Sequence, residues 1–406
     1  MVCRRDLLKA AGMSAIATSF PGMSLASGMS LASANTESRF VLVILRGAAD
    51  GLAVAAPYGD GNYRKVRGEL ALPAPGESGG LIRLDGMFGL HPSLAGIFDE
   101  YQKDRALIVH AVASPYRDRS HFDGQDVLEN GASAVGSLRD GWLNRALGPL
   151  GGSLGNEMAI AMAQNTPLVL RGSNSVTSWA PSRLPDADAS TLRRLQAMYA
   201  EHEFFSTRLE QALQSQQIAA GQEDLDRMRT RGNDAQQMRA MMQATARFLT
   251  ADEGPRIAVL EAGGWDTHAN QGAATGSLAN RLDGLDGGLM ALREGLGRAW
   301  SKTVVAVVTE FGRTAAVNGT RGTDHGTASA AILLGGAVSG GRVITDWPGL
   351  RRSDLYDERD LMPTADLRSV FKGVLGDHLA LPDSLLEQTV FPDSRPARPM
   401  RDLIRG

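Results

Sequence analysis

Five short apolar runs punctuate the chain: Phe40-Val41-Leu42-Val43-Ile44-Leu45, Ala106-Leu107-Ile108-Val109-His110-Ala111-Val112, Ile257-Ala258-Val259-Leu260, Thr303-Val304-Val305-Ala306-Val307-Val308 and Ala330-Ala331-Ile332-Leu333-Leu334. Unbroken runs of this length are expected of strands covered on both faces, as in a parallel sheet. Between the first two, Leu94, Ile97, Phe98 and Tyr101 recur at helical spacing, and residues 278–300 do so between the third and fourth. Residues 40–112 and 256–308 therefore each read as a βαβ unit. Met158 to Met162 and Pro167 to Leu170 predict further short strands. Residues 185–250 change character: they are rich in Gln, Arg, Met, Ala and Glu, with no proline after Pro185, and read as two or three amphipathic helices forming an insertion or cap. The expected fold class is α/β, a mostly parallel sheet with helices on both faces. No internal repeat or low-complexity linker is present, so residues 35–406 read as a single domain carrying that helical insertion.

Chemistry gathers where the runs end. Arg46-Gly47-Ala48-Ala49-Asp50-Gly51 follows the first, Gly263-Gly264-Trp265-Asp266-Thr267-His268 the third, and Glu310-Phe311-Gly312-Arg313-Thr314 the fourth, with Thr323-Asp324-His325-Gly326 close behind. In an open α/β sheet ligands bind outside the carboxyl ends of strands, where residues far apart in sequence converge. Asp50, Asp266, His268, Glu310, Asp324 and His325 are the candidate ligands of a divalent metal ion, for which zinc, calcium and manganese are all admissible. Each also has a plainer reading. Asp-Thr-His serves as a turn with a solvated imidazole, Asp324 as a turn cap, Glu310 as the ion-pair partner of Arg313, and Asp50 as the cap of the next segment. His202 and His378 fall on helical patterns and read as surface residues.

A hydrolytic site also needs a nucleophile. Ser120 stands where a helix from His121 toward Asn130 would begin, and a helix N-terminus favours negative charge on an attacking oxygen. His121, Arg117 and Arg119 add donors and positive charge beside it, and Arg46 is a second candidate for binding an anion bidentately. Ser120 as a mere cap, or a metal-activated water in its place, are the alternatives.

The chain has 406 residues, 43% hydrophobic and 21% charged, with a net charge of −3, which argues against nucleic acid as a partner. Cys3-Arg4-Arg5-Asp6-Leu7-Leu8-Lys9 resembles a twin-arginine export signal, and Ala32-Ser33-Ala34 has the small-x-small pattern of a signal-peptidase site. Residues 1–34 are thus expected to be a leader recognised by the twin-arginine export machinery. Cleavage would leave a periplasmic or otherwise exported chain with no stable membrane span. The only cysteine, Cys3, goes with it, so the remainder can form no disulfide and relies on packing or a metal.

Taken together, the arginine-pair leader, Leu45-Arg46-Gly47-Ala48-Ala49-Asp50-Gly51-Leu52, Arg119-Ser120-His121-Phe122, Gly263-Gly264-Trp265-Asp266-Thr267-His268, Glu310-Phe311-Gly312-Arg313-Thr314, Gly322-Thr323-Asp324-His325-Gly326 and Asp346-Trp347-Pro348-Gly349-Leu350 resemble the bacterial domain of unknown function 1501 family. That family is similar to the alkaline phosphatase and sulfatase superfamily. The resemblance implies a divalent-metal site at the carboxyl edge of the sheet, with Asp50, Ser120, Asp266 with His268, Glu310, and Asp324 with His325 in the superfamily's order of parts. It also implies a small anionic ester as substrate. The chain departs from the superfamily in three places. No Asp directly ends the first strand, the Asp–His pair at 266 and 268 is closely spaced, and Ser114-Pro115-Tyr116-Arg117 only loosely matches the sulfatase signature. These departures are easier to reconcile with a one-metal or altered site than with a full two-metal one. The expected function is a metal-dependent hydrolase of phosphate or sulfate esters, against the alternative of a non-catalytic envelope protein that keeps the fold for binding or assembly. A redox role finds no Gly-x-Gly-x-x-Gly motif and no cysteine for an iron–sulfur cluster.

Overall fold

The apolar runs do become strands, and their burial shows why they are unbroken. In β1 (Arg39–Leu45), residues 40–45 are all buried, with Val41, Val43 and Leu45 in one core and Phe40, Leu42 and Ile44 in the other. Side chains alternate between faces with a period of two, so a strand covered on both sides must be apolar at every position. The structure, a computed structural model, describes residues 37–151, 158–181, 188–219, 234–252 and 254–406. The expected leader at 1–34 lies outside the described residues.

The other strands of the main sheet are β2 (Ala106–Ala113), β3 (Ala159–Ala161), β4 (Thr177–Ser178), β5 (Ile257–Ala262), β6 (Thr303–Thr309), β7 (Ser329–Leu334), β8 (Arg342–Ile344) and β9 (Ala365–Asp366). Their order is β8-β2-β7-β6-β1-β5-β3-β4, with β9 also pairing to β2. Every pairing is parallel except the two made by β7, which runs antiparallel to β2 and β6. Helices cover both faces. On one, α1 (Ala95–Tyr101), α5 (Asp234–Thr250) and α6 (Ser277–Leu296) contribute to the core; on the other, α7 (Leu367–Leu379) packs Phe371, Val374 and Leu375. The chain is thus an α/β protein with a mostly parallel central sheet.

Several local expectations change. Neither βαβ unit closes on itself: β1 lies between β5 and β6, and β6 and β7 separate β1 from β2. Residues 168–170 form a 3-10 turn after Pro167 instead of a strand, with Leu170 N–H bonded to the Pro167 carbonyl at 3.0 Å. Within 185–250, α3 (Ala189–Tyr199) and α4 (Glu203–Ala219) carry exposed Met198, Phe204 and Phe205. The third helix, α5, is a core element instead, burying Met242, Phe248 and Leu249. His378 is buried and its Nε2 lies 2.9 Å from the Arg39 carbonyl, so it is a packing residue and not a surface one. No helix among the described residues is long and apolar enough to cross a membrane.

One buried imidazole couples the fold to pH. His110 on β2 is fully buried, with Nε2 near the Gly51 and Ala55 carbonyls (3.2 and 2.9 Å) and Nδ1 accepting from Ala111 N–H at 2.8 Å. Burial pushes it down to about 4, partly opposed by those carbonyls. Between an unfolded value of ~6.5 and that value, the unfolded chain binds a proton that the native chain refuses. Its contribution, on the order of 3 kcal/mol, is therefore present above pH ~6.5 and lost as pH falls through the native value. Chemical denaturation from pH 7 to 4 should show a steeper loss of unfolding free energy in the wild type than in His110→Gln. Parallel curves would contradict this.

Candidate metal centre

Three neighbouring strands, β6, β1 and β5, end at one edge, and the loops beyond them carry Glu310, Gly47 and Asp266. Because β7 is antiparallel, the segment entering it, with Asp324 and His325, arrives at the same edge. There Arg313 and His325 form an antiparallel bridge, and Gly326 N–H bonds the Gly312 carbonyl at 2.9 Å. The helix α2 (His121–Asn130) starts against this edge. Gly47 permits the close approach: its φ is 117°, and a β-carbon there would lie 2.6 Å from the Asp266 backbone nitrogen. Its N–H instead donates to Glu310 Oε1 at 2.8 Å.

Three imidazoles meet around Asp266. His121 Nδ1 lies 2.9 Å from Glu310 Oε1, His268 Nδ1 3.1 Å from Asp324 Oδ1, and His325 Nδ1 2.8 Å from the Arg119 carbonyl. Carboxylate and carbonyl oxygens only accept, so each Nδ1 donates; a ring holding a single hydrogen there would offer the Nε2 lone pair to a cation, whereas with no cation the same rule makes Nε2 a donor to Asp266. All three Nε2 atoms gather at Asp266. His121 Nε2 is 3.5 Å from Asp266 Oδ2, while His268 and His325 Nε2 are 3.0 and 3.3 Å from Asp266 Oδ1 and 2.9 Å from each other. The His121 Nε2 is buried and makes no hydrogen bond. The ring of Phe311, itself buried, supports two of the imidazoles, stacking on His121 at 5.1 Å and lying 5.4 Å from His325.

This donor set fits a cation. Tetrahedral coordination with bonds near 2.0–2.2 Å places neighbouring donors roughly 3.3–3.6 Å apart, and the Asp266–imidazole separations of 3.0, 3.3 and 3.5 Å lie near that range. Atoms of His121, Asp266 and His325 lie within 4.8 Å of one another. The backing of each ring by an oxygen is what metal-bound histidines typically have. Charge points the same way: Asp266, Glu310 and Asp324 bring three negative charges, and buried Arg313 returns one through its 2.6 Å bond to Asp266 Oδ1. The Glu310 hydrogen bond raises the His121 pKa, whereas burial lowers that of His325. Burial would raise Asp266 and Glu310, but Arg313 holds the first below the ordinary carboxylate value and His121 the second. Asn318, then His268, lower Asp324.

The candidate residues thus divide. Asp266, His268 and His325 face the shared centre, and His121, expected as a donor beside the nucleophile, joins them. Glu310 and Asp324 sit one step back, holding rings by Nδ1. Arg313 pairs with Asp266 and not with Glu310. Ser120 occupies the N-cap position of α2, yet its hydroxyl makes no cap bond. Asp50 has other partners: it caps the turn Gly51–Val54 through Leu52 N–H at 3.1 Å, accepts from Gln271 at 2.7 Å, and forms a buried ion pair with Arg67. Arg46 is bonded to Glu129 at 2.7 Å and to Glu261, and Arg119 to Asp357 and Asp360, both at 2.7 Å. Neither guanidinium faces an anion site without giving up a carboxylate. Sequence reasoning gave no role to Phe311, although it lies in the Glu310–Thr314 cluster, and missed Gln125, 3.2 Å from Glu310, which nothing in its local pattern separates from an ordinary helix residue.

These assignments separate by mutation. Asp50→Ala strands buried Arg67 and should cost roughly 3–5 kcal/mol of stability, read by urea denaturation, while the folded variant's metal content matches the wild type's. Loss of metal at unchanged stability would instead return Asp50 to the centre.

The profile of the family described as "Protein of unknown function (DUF1501)" matches residues 88–390. No functionally curated protein matches the chain. Among solved structures, Ps i-CgsB in complex with k-i-k-neocarrahexaose is similar at 11% identity, covering 89% of this chain and 77% of its own, with a TM-score of 0.41. The phosphonate monoester hydrolase of Agrobacterium radiobacter is 12% identical, with coverages of 85% and 74% and a TM-score of 0.36. The C-terminal periplasmic domain of EcEptC from Escherichia coli, in complex with Zn, is 8% identical, with coverages of 74% and 74% and a TM-score of 0.34.

Proposed function

The chain belongs to the DUF1501 family, and from its site we propose that it is a metal-dependent hydrolase of a small anionic ester, a phosphate or a sulfate. The observation that carries this is the convergence of three imidazole Nε2 atoms, each ring backed by an oxygen at Nδ1, on the two oxygens of Asp266. His121, Asp266, His268 and His325 are the proposed ligands. Three imidazoles and one carboxylate favour zinc among divalent ions, since calcium and magnesium prefer oxygen throughout. A bound divalent ion would supply Lewis acidity toward a phosphoryl or sulfuryl oxygen.

The chain's own groups complete the proposal. Ser120 presents an uncapped hydroxyl next to His121, at the start of a helix of 10 residues whose N-terminal N–H groups favour an anion. It is the proposed nucleophile. Glu310 and Asp324 hold the rings in the tautomer that ligation needs, and Arg313 fixes the orientation of Asp266. The arginine pair Arg4-Arg5 in the leader-like segment extends the proposal to an exported protein.

The test is elemental analysis of the purified protein beside hydrolysis of aryl phosphate and aryl sulfate. One equivalent of metal is expected, with turnover of one ester class falling at least ~100-fold after chelation and in His121→Ala and His325→Ala. Ser120→Ala should lose turnover but keep the metal. A metal-replete protein inactive on both ester classes would favour the non-catalytic binding protein instead.

A further inference from the structure

The carbonyl that holds His325 belongs to a residue in an unfavourable conformation. Arg119 has φ 63°, the left-handed region that a side chain bearing a β-carbon occupies only at a cost. Its carbonyl is thereby turned onto His325 Nδ1, 2.8 Å away. What keeps it there is its side chain: Nε bonds Asp360 Oδ2 and a terminal nitrogen bonds Asp357 Oδ2, both at 2.7 Å, with the guanidinium carbon 5.7 Å from the centre of the Tyr356 ring.

Asp360 is fully buried and shared between two arginines. Its second oxygen accepts from Arg359 Nε at 2.8 Å, and Arg359 in turn donates to the backbone carbonyl of His325. One carboxylate therefore braces His325 from both sides, through the residue that fixes the ring and the residue that fixes the backbone. Its own backbone is anchored too: Tyr356 N–H bonds the Asp360 carbonyl at 2.8 Å, and a bridge joins Asp360 to Thr314.

We propose that Asp360 is a positioning residue of the metal centre, setting the tautomer and orientation of His325 through Arg119 and Arg359. This rests on the metal reading for its consequence but not for its geometry. Asp360→Asn keeps the shape, but its amide turns an N–H toward one of the two guanidinium groups and removes the charge that holds both. Outer partners of metal-bound histidines are typically worth ~10–100-fold in affinity.

Two measurements test it. In zinc competition titrations, Asp360→Asn should bind ~10–100-fold more weakly than the wild type. Asp357→Asn, at an exposed position that pairs with Arg119 but not with Arg359 among the described residues, should change far less. In ¹⁵N-histidine spectra of metal-free protein, wild-type His325 should carry its hydrogen on Nδ1, and Asp360→Asn should lose that preference. Arg359→Gln, at a half-exposed position, should weaken zinc in the same direction if Asp360→Asn folds poorly. Wild-type affinity together with an unchanged His325 tautomer in Asp360→Asn overturns the assignment. A wild type that binds no zinc overturns the metal reading instead, and the tautomer comparison then decides the role of Asp360 by itself.

Discussion

Three imidazole Nε2 atoms and a carboxylate packed within a few ångströms need positive charge between them, from hydrogens on the rings or from a cation. Around Asp266, Glu310, Asp324 and the Arg119 carbonyl each accept from Nδ1, which leaves the three Nε2 atoms to meet the carboxylate. The protein spends considerable structure to maintain that arrangement. It buries Glu310, strains Arg119, stacks His121 on Phe311 with His325 tilted against the same ring, and places a glycine at 47 so that two loops can touch. The proposed divalent cation would supply that charge, with the rings ligating it through Nε2.

The sheet supplies the rigidity. β6, β1 and β5 are adjacent, parallel and covered on both faces, so the positions where they end are held by two hydrophobic cores. β7 runs the other way, which brings the 323–327 segment to the same edge without a crossover helix. The short ladder between 312–314 and 324–326 then fixes His325 relative to Arg313 and, through it, Asp266. Backbone pairing, not loop packing alone, sets the distances among the donors.

Much of this was legible in the sequence, for identifiable reasons. Strands buried on both faces appear as unbroken apolar runs, and the acid-glycine-histidine clusters after them mark Asp266, His268 and His325. Strand order was not legible, because the insertion of β1 between β5 and β6 depends on pairing across more than two hundred residues. Asp50 misled because its partner Arg67 sits in a polar stretch with no distinguishing pattern. Glu310 and Asp324 could be recognised as acids of the site, but whether an acid faces an ion or the back of an imidazole is a difference of a few ångströms that spacing does not encode. His121 was legible only as a donor beside Ser120 for the same reason: at a helix start next to a serine, a candidate ligand and a proton donor look alike.

The most direct measurement is anomalous diffraction from crystals of the protein purified without chelator, with data collected on both sides of the zinc edge. A single peak is predicted ~2.0–2.2 Å from Nε2 of His121, His268 and His325 and from one oxygen of Asp266. A peak bound elsewhere, or none at any divalent-metal edge with the three rings turned away from Asp266, would contradict the account.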